Sequence, residues 1–177
     1  MSIRFILIML WLSQVFGSNE SIRNIETAGD ILQISLPVVA LGSTYLLDDD
    51  EGRSQFWSSY ISSISITYFL KLSIDKIRPN GDCCESFPSG HTTAAFSGAM
   101  FIQRKYGYKY GIPSLLMSSF VGYSRIQADK HYLEDVVVGA WIGVLGNLIF
   151  TDRYKSNSFS FYKYRDNFNF NLSLDLK

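Results

Sequence analysis

The sequence has few of the residues that small enzymes use to bind metals or to form disulfides. Its 177 residues include two cysteines and two histidines. A zinc site takes three or four ligands drawn mainly from these residue types, and neither their number nor their spacing provides such a set. Cys83 and Cys84 are adjacent, a pairing that bridges only with strain, so we expect reduced thiols. In an exported protein, a vicinal disulfide or a bridge to a partner chain is the alternative.

The chain also lacks net charge. Sixteen basic and sixteen acidic residues cancel, so the sequence has no general basic footprint for nucleic acid. Apolar residues make up 47% of the chain, yet the mean hydropathy is only +0.07, a value that is high for a soluble enzyme and low for a transporter. A chain of this length forms one domain with a core of its own. Contact with a membrane therefore has to be judged segment by segment.

The N-terminal residues 1–17 have the layout of a secretory signal peptide. A single positive charge at Arg4 precedes an apolar run at 5–12, and the small residue Gly17 follows. The run is short for a membrane span. An uncleaved N-terminal anchor is the alternative. Both interpretations predict that the rest of the chain is exported or bound to a membrane.

Helical segments follow one another from residue 30 to residue 150. Apolar and small residues predict helices at 30–47, 55–74, 91–106, 112–123 and 132–150. The acidic tract 48–51 ends the first helix in a surface turn. The run from Val136 onward is the most membrane-like, whereas the segments at 91–104 and 112–123 are too short, at about 1.5 Å per residue, to cross a core of about 30 Å. We therefore expect an all-α bundle of five to six helices that is partly sunk in the bilayer.

The tail after residue 152 has a different pattern. Apolar residues alternate with polar ones, which predicts an extended or strand-like tail, at Phe168, Phe170, Leu172 and Leu174. The expected organisation is an N-terminal segment 1–17, a helical domain 18–152 and a tail 153–177. By the positive-inside rule, Arg4, the basic turn at 103–109 and the start of the tail share one side of the membrane. The helix ends that carry the polar motifs described next then lie outside the cytoplasm.

Residues able to bind and cleave phosphate esters are concentrated in three clusters between residues 71 and 135. The clusters read Lys71-x6-Arg78-Pro79, Pro88-Ser89-Gly90-His91 and Ser124-Arg125-x5-His131-x3-Asp135. A phosphate monoester carries about two negative charges at neutral pH, so its site needs several cations and N–H donors around one point. Lys71, Arg78 and Arg125 supply the cations. The turn at Ser89-Gly90, at the start of a helix, supplies backbone N–H groups.

Both histidines of the chain lie inside these clusters. His131 and Asp135 are four residues apart at a helix start, so they share one face, and the carboxylate can hold one imidazole nitrogen while the other attacks phosphorus. A helix-capping role is the simpler explanation of Asp135 alone. His91, beside the phosphate-binding turn, is then available as the general acid that protonates the leaving oxygen.

Together the clusters resemble the complete signature of the type 2 phosphatidic acid phosphatase superfamily, which also contains bacterial class A acid phosphatases and vanadium haloperoxidases. The resemblance covers about residues 30–150, and every motif position is present. It implies an all-helical core and a phosphohydrolase that needs no metal or other cofactor. It also implies that His131 forms a phosphohistidine, that Asp135 orients it and that His91 is the acid. The phosphate-binding residues implied are Lys71, Arg78, Ser89, Gly90 and Arg125.

The helix pattern favours a phosphorylated amphiphile as the substrate. A lipid phosphate, an isoprenyl diphosphate carrier, a lipid A type glycolipid and a soluble ester are the candidates. We expect a phosphatase of the bacterial cell envelope, associated with the membrane and with its active site on the periplasmic face. The alternatives are a vanadate-dependent haloperoxidase in which His131 binds vanadium, a soluble periplasmic acid phosphatase, and a module that binds phosphorylated lipid without catalysis.

Overall fold

The computed structural model describes the backbone of residues 3–154, 158–164 and 167–173, and the side chains of residues 20–154. Its helices are α1 (Ile3–Leu46), α2 (Asp50–Ser73), α3 (Gly90–Tyr106), α4 (Tyr108–Gln127) and α5 (Leu133–Phe150). In the tail, β1 (Ser158–Tyr164) and β2 (Asn167–Ser173) form an antiparallel hairpin with Ser158 opposite Ser173. The prediction of an all-α core followed by an extended tail is confirmed.

Local signals set the ends of α2 and α3. The carboxylate of Asp49 accepts the N–H of Gly52 at 2.8 Å, and the acidic residues of the first turn suit the positive end of the α2 dipole. Ser89 caps α3 through its hydroxyl oxygen. Gly107 ends α3 at φ 87°, a conformation that only glycine adopts freely, and α4 begins at the next residue. The basic turn expected at 103–109 is therefore reduced to Gly107.

Helix α4 is longer at both ends than the sequence predicts. It spans Tyr108–Gln127 rather than 112–123. The N–H of Ala128 still bonds to the carbonyl of Ser124 at 3.0 Å, so the segment expected as a loop from Ser124 is helical in its first part. As a result, Ser124 and Arg125 occupy the last turn of a rigid helix.

Helix α1 is continuous, which differs from the expected division at residue 17. Residues 18–28 contain neither glycine nor proline, so nothing in them stops the helix. The C-terminal end of α1 is next to the basic end of α3, where Lys105 Nζ lies 3.4 Å from Asp49 Oδ2. Arg4 is therefore at the opposite end of α1 from that basic cluster. The expectation that Arg4 and the basic turn at 103–109 share one side of the membrane was wrong. Cleavage of residues 1–17 stays a prediction.

Helix α3 packs against the other four helices, and small residues allow the close approach. A Cβ atom on Gly139 of α5 would lie 2.6 Å from the carbonyl oxygen of Ser89, and one on Gly143 would lie 2.8 Å from the backbone nitrogen of Ser97. The Gly139-x3-Gly143 pattern is thus a contact surface for α3. This packing brings the first turn of α5 directly beside the start of α3.

The outer surface of the bundle is rich in apolar side chains. Within the described residues, two helical stretches are long and apolar enough to cross a membrane, Glu20–Leu46 and Leu133–Phe150. Exposed large apolar residues on several helices include Leu46, Phe69, Leu72, Leu116 and Ile149. A soluble monomer rarely exposes so much apolar area. This is the surface expected of a protein in contact with lipid.

Candidate active site

The loop between α2 and α3 folds back on itself and joins the first motif to the second. The N–H of Ser86 bonds to the carbonyl of Lys76 at 3.0 Å, and the N–H of Lys76 bonds to the carbonyl of Cys84 at 3.3 Å. The N–H of Asn80 bonds to the carbonyl of Asp129 at 3.0 Å, which ties the loop to the turn before α5. The loop is therefore held against the third motif by backbone hydrogen bonds.

The two cysteines lie in this loop. Cys83 and Cys84 lie side by side with their sulfurs in contact, and the expectation of reduced thiols stays a prediction. A tight turn precedes them, in which the N–H of Arg78 bonds to the carbonyl of Asp82 at 3.1 Å and Gly81 takes φ 87°.

A cleft of about 380 Å³ opens between α1, α2 and α3, next to this loop. Of the predicted site residues, it is lined by Lys71, Arg78, Gly90 and His91. Lys71 Nζ donates to the carbonyl of Glu85 at 2.6 Å and keeps two further donors. Arg78 Nε is buried and has no hydrogen-bond partner among the described residues. Two cations thus converge on the cleft with N–H groups available for an anion.

Asp135, in the first turn of α5, is fully buried. Its Oδ1 accepts from Lys76 Nζ at 2.6 Å. Its Oδ2 accepts from the hydroxyl of Ser86 at 2.5 Å and from the N–H of Tyr132 at 3.0 Å. The capping role considered from the sequence is therefore real, and it coexists with an approach to His131, whose Nδ1 is 3.7 Å from Oδ2. Three hydrogen bonds, two from the loop after α2 and one from the residue before α5, hold this carboxylate in one position.

His131 is 4% exposed, and its environment favours the neutral imidazole. Burial, together with the nearby cations of Lys71 and Arg78, lowers the pKa of His131 to about 4. At neutral pH the ring therefore has a free lone pair, which a nucleophile requires. Nδ1 is the ring nitrogen on the side of Asp135. The distance of 3.7 Å is longer than a hydrogen bond, as is common in catalytic pairs without substrate.

The start of α3 supplies the backbone donors of the second motif. Ser89 is fully buried, and its hydroxyl oxygen accepts from the hydroxyl of Thr92 at 2.9 Å. The N–H of Ser89 is already bonded to the carbonyl of Asp135 at 3.0 Å. The amides of Gly90 and His91 belong to the first turn, where N–H groups have no partner within the helix. Those two amides are therefore the ones suited to a phosphate oxygen.

Arg125 is the predicted site residue whose placement differs most from expectation. It is 3% exposed, does not line the cleft, and directs its guanidinium toward α1. Its Nη1 lies 2.8 Å from Oδ1 of Asp30, and its Nη2 donates to the carbonyl of Glu26 at 2.8 Å. His91 Nε2 lies 3.2 Å from the same Oδ1. A role for Arg125 in holding phosphate stays a prediction.

Sequence reasoning missed three residues that contact the site, namely Asp30, Lys76 and Ser86. Lys76 lies inside the first motif, so its charge could have been counted with Lys71 and Arg78. Ser86 precedes Pro88 by two positions and resembles any loop serine. Asp30 is far upstream in a helix of mixed character, and no local pattern connects it with His91.

Known proteins resemble this chain in sequence and in fold. The family model of the PAP2 superfamily matches residues 54–158. Lipid A 1-phosphatase of Porphyromonas gingivalis is 33% identical over 121 residues, which are 58% of this chain and only 27% of that protein. Lipid A 4'-phosphatase of Helicobacter pylori is 27% identical over 171 residues, 89% of this chain and 86% of that protein. The crystal structure of Aquifex aeolicus LpxE has the same fold, with a TM-score of 0.57 and 23% identity over 73% of this chain and 92% of that chain.

The fold and the clustered phosphate chemistry are those of a helical, membrane-associated phosphoric ester hydrolase. The chain belongs to the PAP2 superfamily, because the family model covers more than half of it. The resemblance stated from the three motifs is thereby confirmed. Two of these relatives are named as lipid A phosphatases.

Proposed function

We propose that this protein removes phosphate from a membrane lipid through a covalent intermediate on His131. The observation that carries the lipid is a second, apolar groove of about 240 Å³ between α1 and α2. The groove and the charged cleft share the lining residues Gln33, Tyr60 and Ala94. A phosphate bound near Lys71 therefore has a continuous apolar path for the hydrocarbon part of the same molecule. A soluble ester has no hydrocarbon chain to occupy that groove.

The apolar groove suits a hydrocarbon chain by its composition. Its lining includes Ile34, Pro37, Val38, Leu41 and Trp57. Val38 and Trp57 are also exposed on the outside of the bundle, so the groove opens to the surface that faces lipid. The groove keeps the part of the chain that leaves the bilayer out of water, where exposure would cost about 0.8 kcal/mol per CH₂ group. A substrate could thus remain partly in the bilayer while its phosphate reaches the cleft.

The first chemical step follows from the placement of the two histidines. His131 Nε2 attacks phosphorus, a P–N bond forms, and the P–O bond to the leaving group breaks. His91 gives a proton to the departing oxygen. Lys71, Arg78 and the amides of Gly90 and His91 stabilise the charge on the equatorial oxygens. Asp135 stabilises the positive charge that develops on the His131 ring.

The second step restores the enzyme. Water attacks phosphorus and gives a proton to the now neutral His91, and the P–N bond breaks. Inorganic phosphate leaves, and His131 regains its lone pair. In both steps the side-chain cations and the N–H donors of the chain stabilise the negative charge of the phosphate.

The names of the relatives make lipid A the first substrate to test. We also propose that the active site faces the periplasm, because Arg104, Lys105 and Lys109 lie at the other end of the bundle and basic residues stay in the cytoplasm.

The experiment measures how fast detergent-purified protein releases phosphate from each member of a substrate panel. The panel contains lipid A, phosphatidic acid, an isoprenyl diphosphate and a soluble aryl phosphate. The assay is run with EDTA and compared with His131→Ala. Release of phosphate from a lipid in EDTA, absent in His131→Ala, supports the proposal. Turnover of the soluble ester alone, or a rate that EDTA abolishes and Mg²⁺ restores, contradicts it.

A further inference from the structure

Helix α1 carries an acidic residue into the active site, although the three motifs all lie on other segments. The contact begins at Gly29, where a Cβ atom would lie 2.0 Å from Oγ of Ser124. Only glycine allows α1 and α4 to approach so closely at this point. The next residue is Asp30, which is thereby placed within reach of the side chains at the end of α4 and the start of α3.

The carboxylate of Asp30 contacts two site residues at once. Its Oδ1 lies 2.8 Å from Nη1 of Arg125 and 3.2 Å from Nε2 of His91. Arg125 is further fixed by its own neighbour, because its Nε donates to Oγ of Ser124 at 3.2 Å. The side chain of Asp30 is 47% exposed, so the burial of Arg125 does not depend on it alone. One carboxylate oxygen thus links the third motif to the second.

We propose that Asp30 is a positioning residue for the reaction, which holds His91 by Nε2 so that the ring delivers its proton from Nδ1. This inference rests on the proposed role of His91 as general acid. The same carboxylate holds Arg125 beside the ring. In this proposal Asp30 orients the general acid His91, just as Asp135 orients the nucleophile His131.

The charges around His91 explain why a carboxylate is needed there. The charged groups that face the ring are Arg125 on α4, Lys71 on α2 and Asp30 on α1. Two cations disfavour the protonated imidazole, and a general acid must be protonated when the leaving group departs. Asp30 is the one group of these three that favours the imidazolium. It also fixes the ring orientation, which a distant charge cannot do.

The kinetic test compares Asp30→Asn with Glu26→Gln. Glu26 is one helical turn away, carries the same charge, and contacts Arg125 through a backbone carbonyl that the substitution leaves unchanged. In Asp30→Asn, kcat should fall about 10- to 100-fold for an alkyl phosphate lipid and less than about threefold for p-nitrophenyl phosphate. The difference is expected because the p-nitrophenolate group departs without being protonated. Asp30→Glu, which keeps the charge, should recover part of the loss. An equal loss on both substrates would show a structural role only and overturn the inference.

A spectroscopic test is independent of turnover. The chain has two histidines, so ¹⁵N-histidine labelling gives the signals of two rings, and His131→Ala assigns them. The pKa of His91 should be lower in Asp30→Asn than in the wild type, because burial, Arg125 and Lys71 all disfavour the imidazolium and the opposing carboxylate is lost. The pKa should stay unchanged in Glu26→Gln. If the pKa of His91 is the same in Asp30→Asn and in the wild type, the inference is overturned even when hydrolysis is normal. If the wild type cleaves no phosphate ester, the proposed function is refuted. The pairing of Asp30 with His91 is then still decided by this titration.

Discussion

Nζ of Lys76 lies 2.6 Å from Oδ1 of Asp135, a carboxylate with no exposed surface that also approaches the ring of His131. Lys76 therefore holds the carboxylate that the proposed mechanism places beside His131. It also contacts Glu134 at 2.5 Å and lies over the ring of Tyr132. The lysine that sequence reasoning overlooked is thus the counter-ion of the most deeply buried carboxylate in the site.

Lys76→Met should lower both stability and turnover. Loss of the lysine leaves a buried charge without its counter-ion, which costs roughly 1–3 kcal/mol of unfolding free energy, and it releases the orientation of Asp135. Glu134→Gln removes the other partner of Lys76, but that side chain is 70% exposed, so the change should cost less than about 0.5 kcal/mol. Thermal denaturation in detergent and kcat on the same samples measure both effects. Equal destabilisation by the two substitutions would contradict this view of Asp135.

The two histidines should have separable roles. His131→Ala should prevent the phosphoenzyme from forming, because Nε2 is the proposed attacking atom. His91→Ala should slow alkyl substrates by about 100-fold or more and an aryl phosphate far less, since only the alkyl oxygen needs a proton. Rapid-quench labelling with ³²P-substrate detects an acid-labile label on the protein. A label found on His91, or one that persists in His131→Ala, would reverse the assignment.

The pH dependence should reflect the low pKa of His131. With a pKa of about 4, the ring is the free base from mildly acidic pH upward, so kcat/KM should not lose the nucleophile until the pH approaches 4. Lys71→Met removes a nearby cation that disfavours the imidazolium, so the pKa of His131 should rise. It should stay below the ordinary value of about 6.5, because burial remains the larger cause. Titration of ¹⁵N-labelled His131 measures the shift directly, and a fall in the pKa would contradict the sign.

The apolar groove between α1 and α2 can be tested by filling it. Val38 lines the groove and is 62% exposed, whereas its neighbour Val39, 59% exposed, is about 100° further around the helix. Val38→Trp should raise KM for a long-chain lipid phosphate by about tenfold and leave p-nitrophenyl phosphate unchanged. Val39→Trp should affect neither. If the two variants behave alike on the lipid, the hydrocarbon chain does not occupy this groove.

The helical core was predictable because its signals are local. Apolar and small residues over long stretches predicted α2, α3 and α5 to within a few residues, and the alternating tail predicted strands. The predicted helix ends were less accurate where the continuation of a helix depends on hydrogen bonds rather than on a residue type. The last turn of α4 at Ser124–Gln127 is one such case, and the passage of α1 through the polar residues 18–29 is another.

The candidate site was also predicted from the sequence, since a phosphate site needs several cations, a helix start and a histidine with a carboxylate at helical spacing. The predicted approach of His131 to Asp135 is present, with Nδ1 at 3.7 Å from Oδ2, but its cause differs from the prediction because α5 begins only at Leu133. His131 precedes the cap residue Tyr132, and Asp135 turns back toward it by accepting the N–H of Tyr132. The sequence by itself therefore determined the class of reaction and the residues of the three motifs. These features depend on residue type and on short spacings, which the sequence shows directly.

Only the tertiary structure decided which groups hold those residues in place. Lys76 and Ser86 reach Asp135 because the loop after α2 folds back, and Asp30 reaches His91 and Arg125 because Gly29 lets α1 touch α4. The low pKa of His131 likewise depends on burial by several segments. Contacts between distant segments depend on how helices approach each other, and the spacing of residues along a chain does not contain that information.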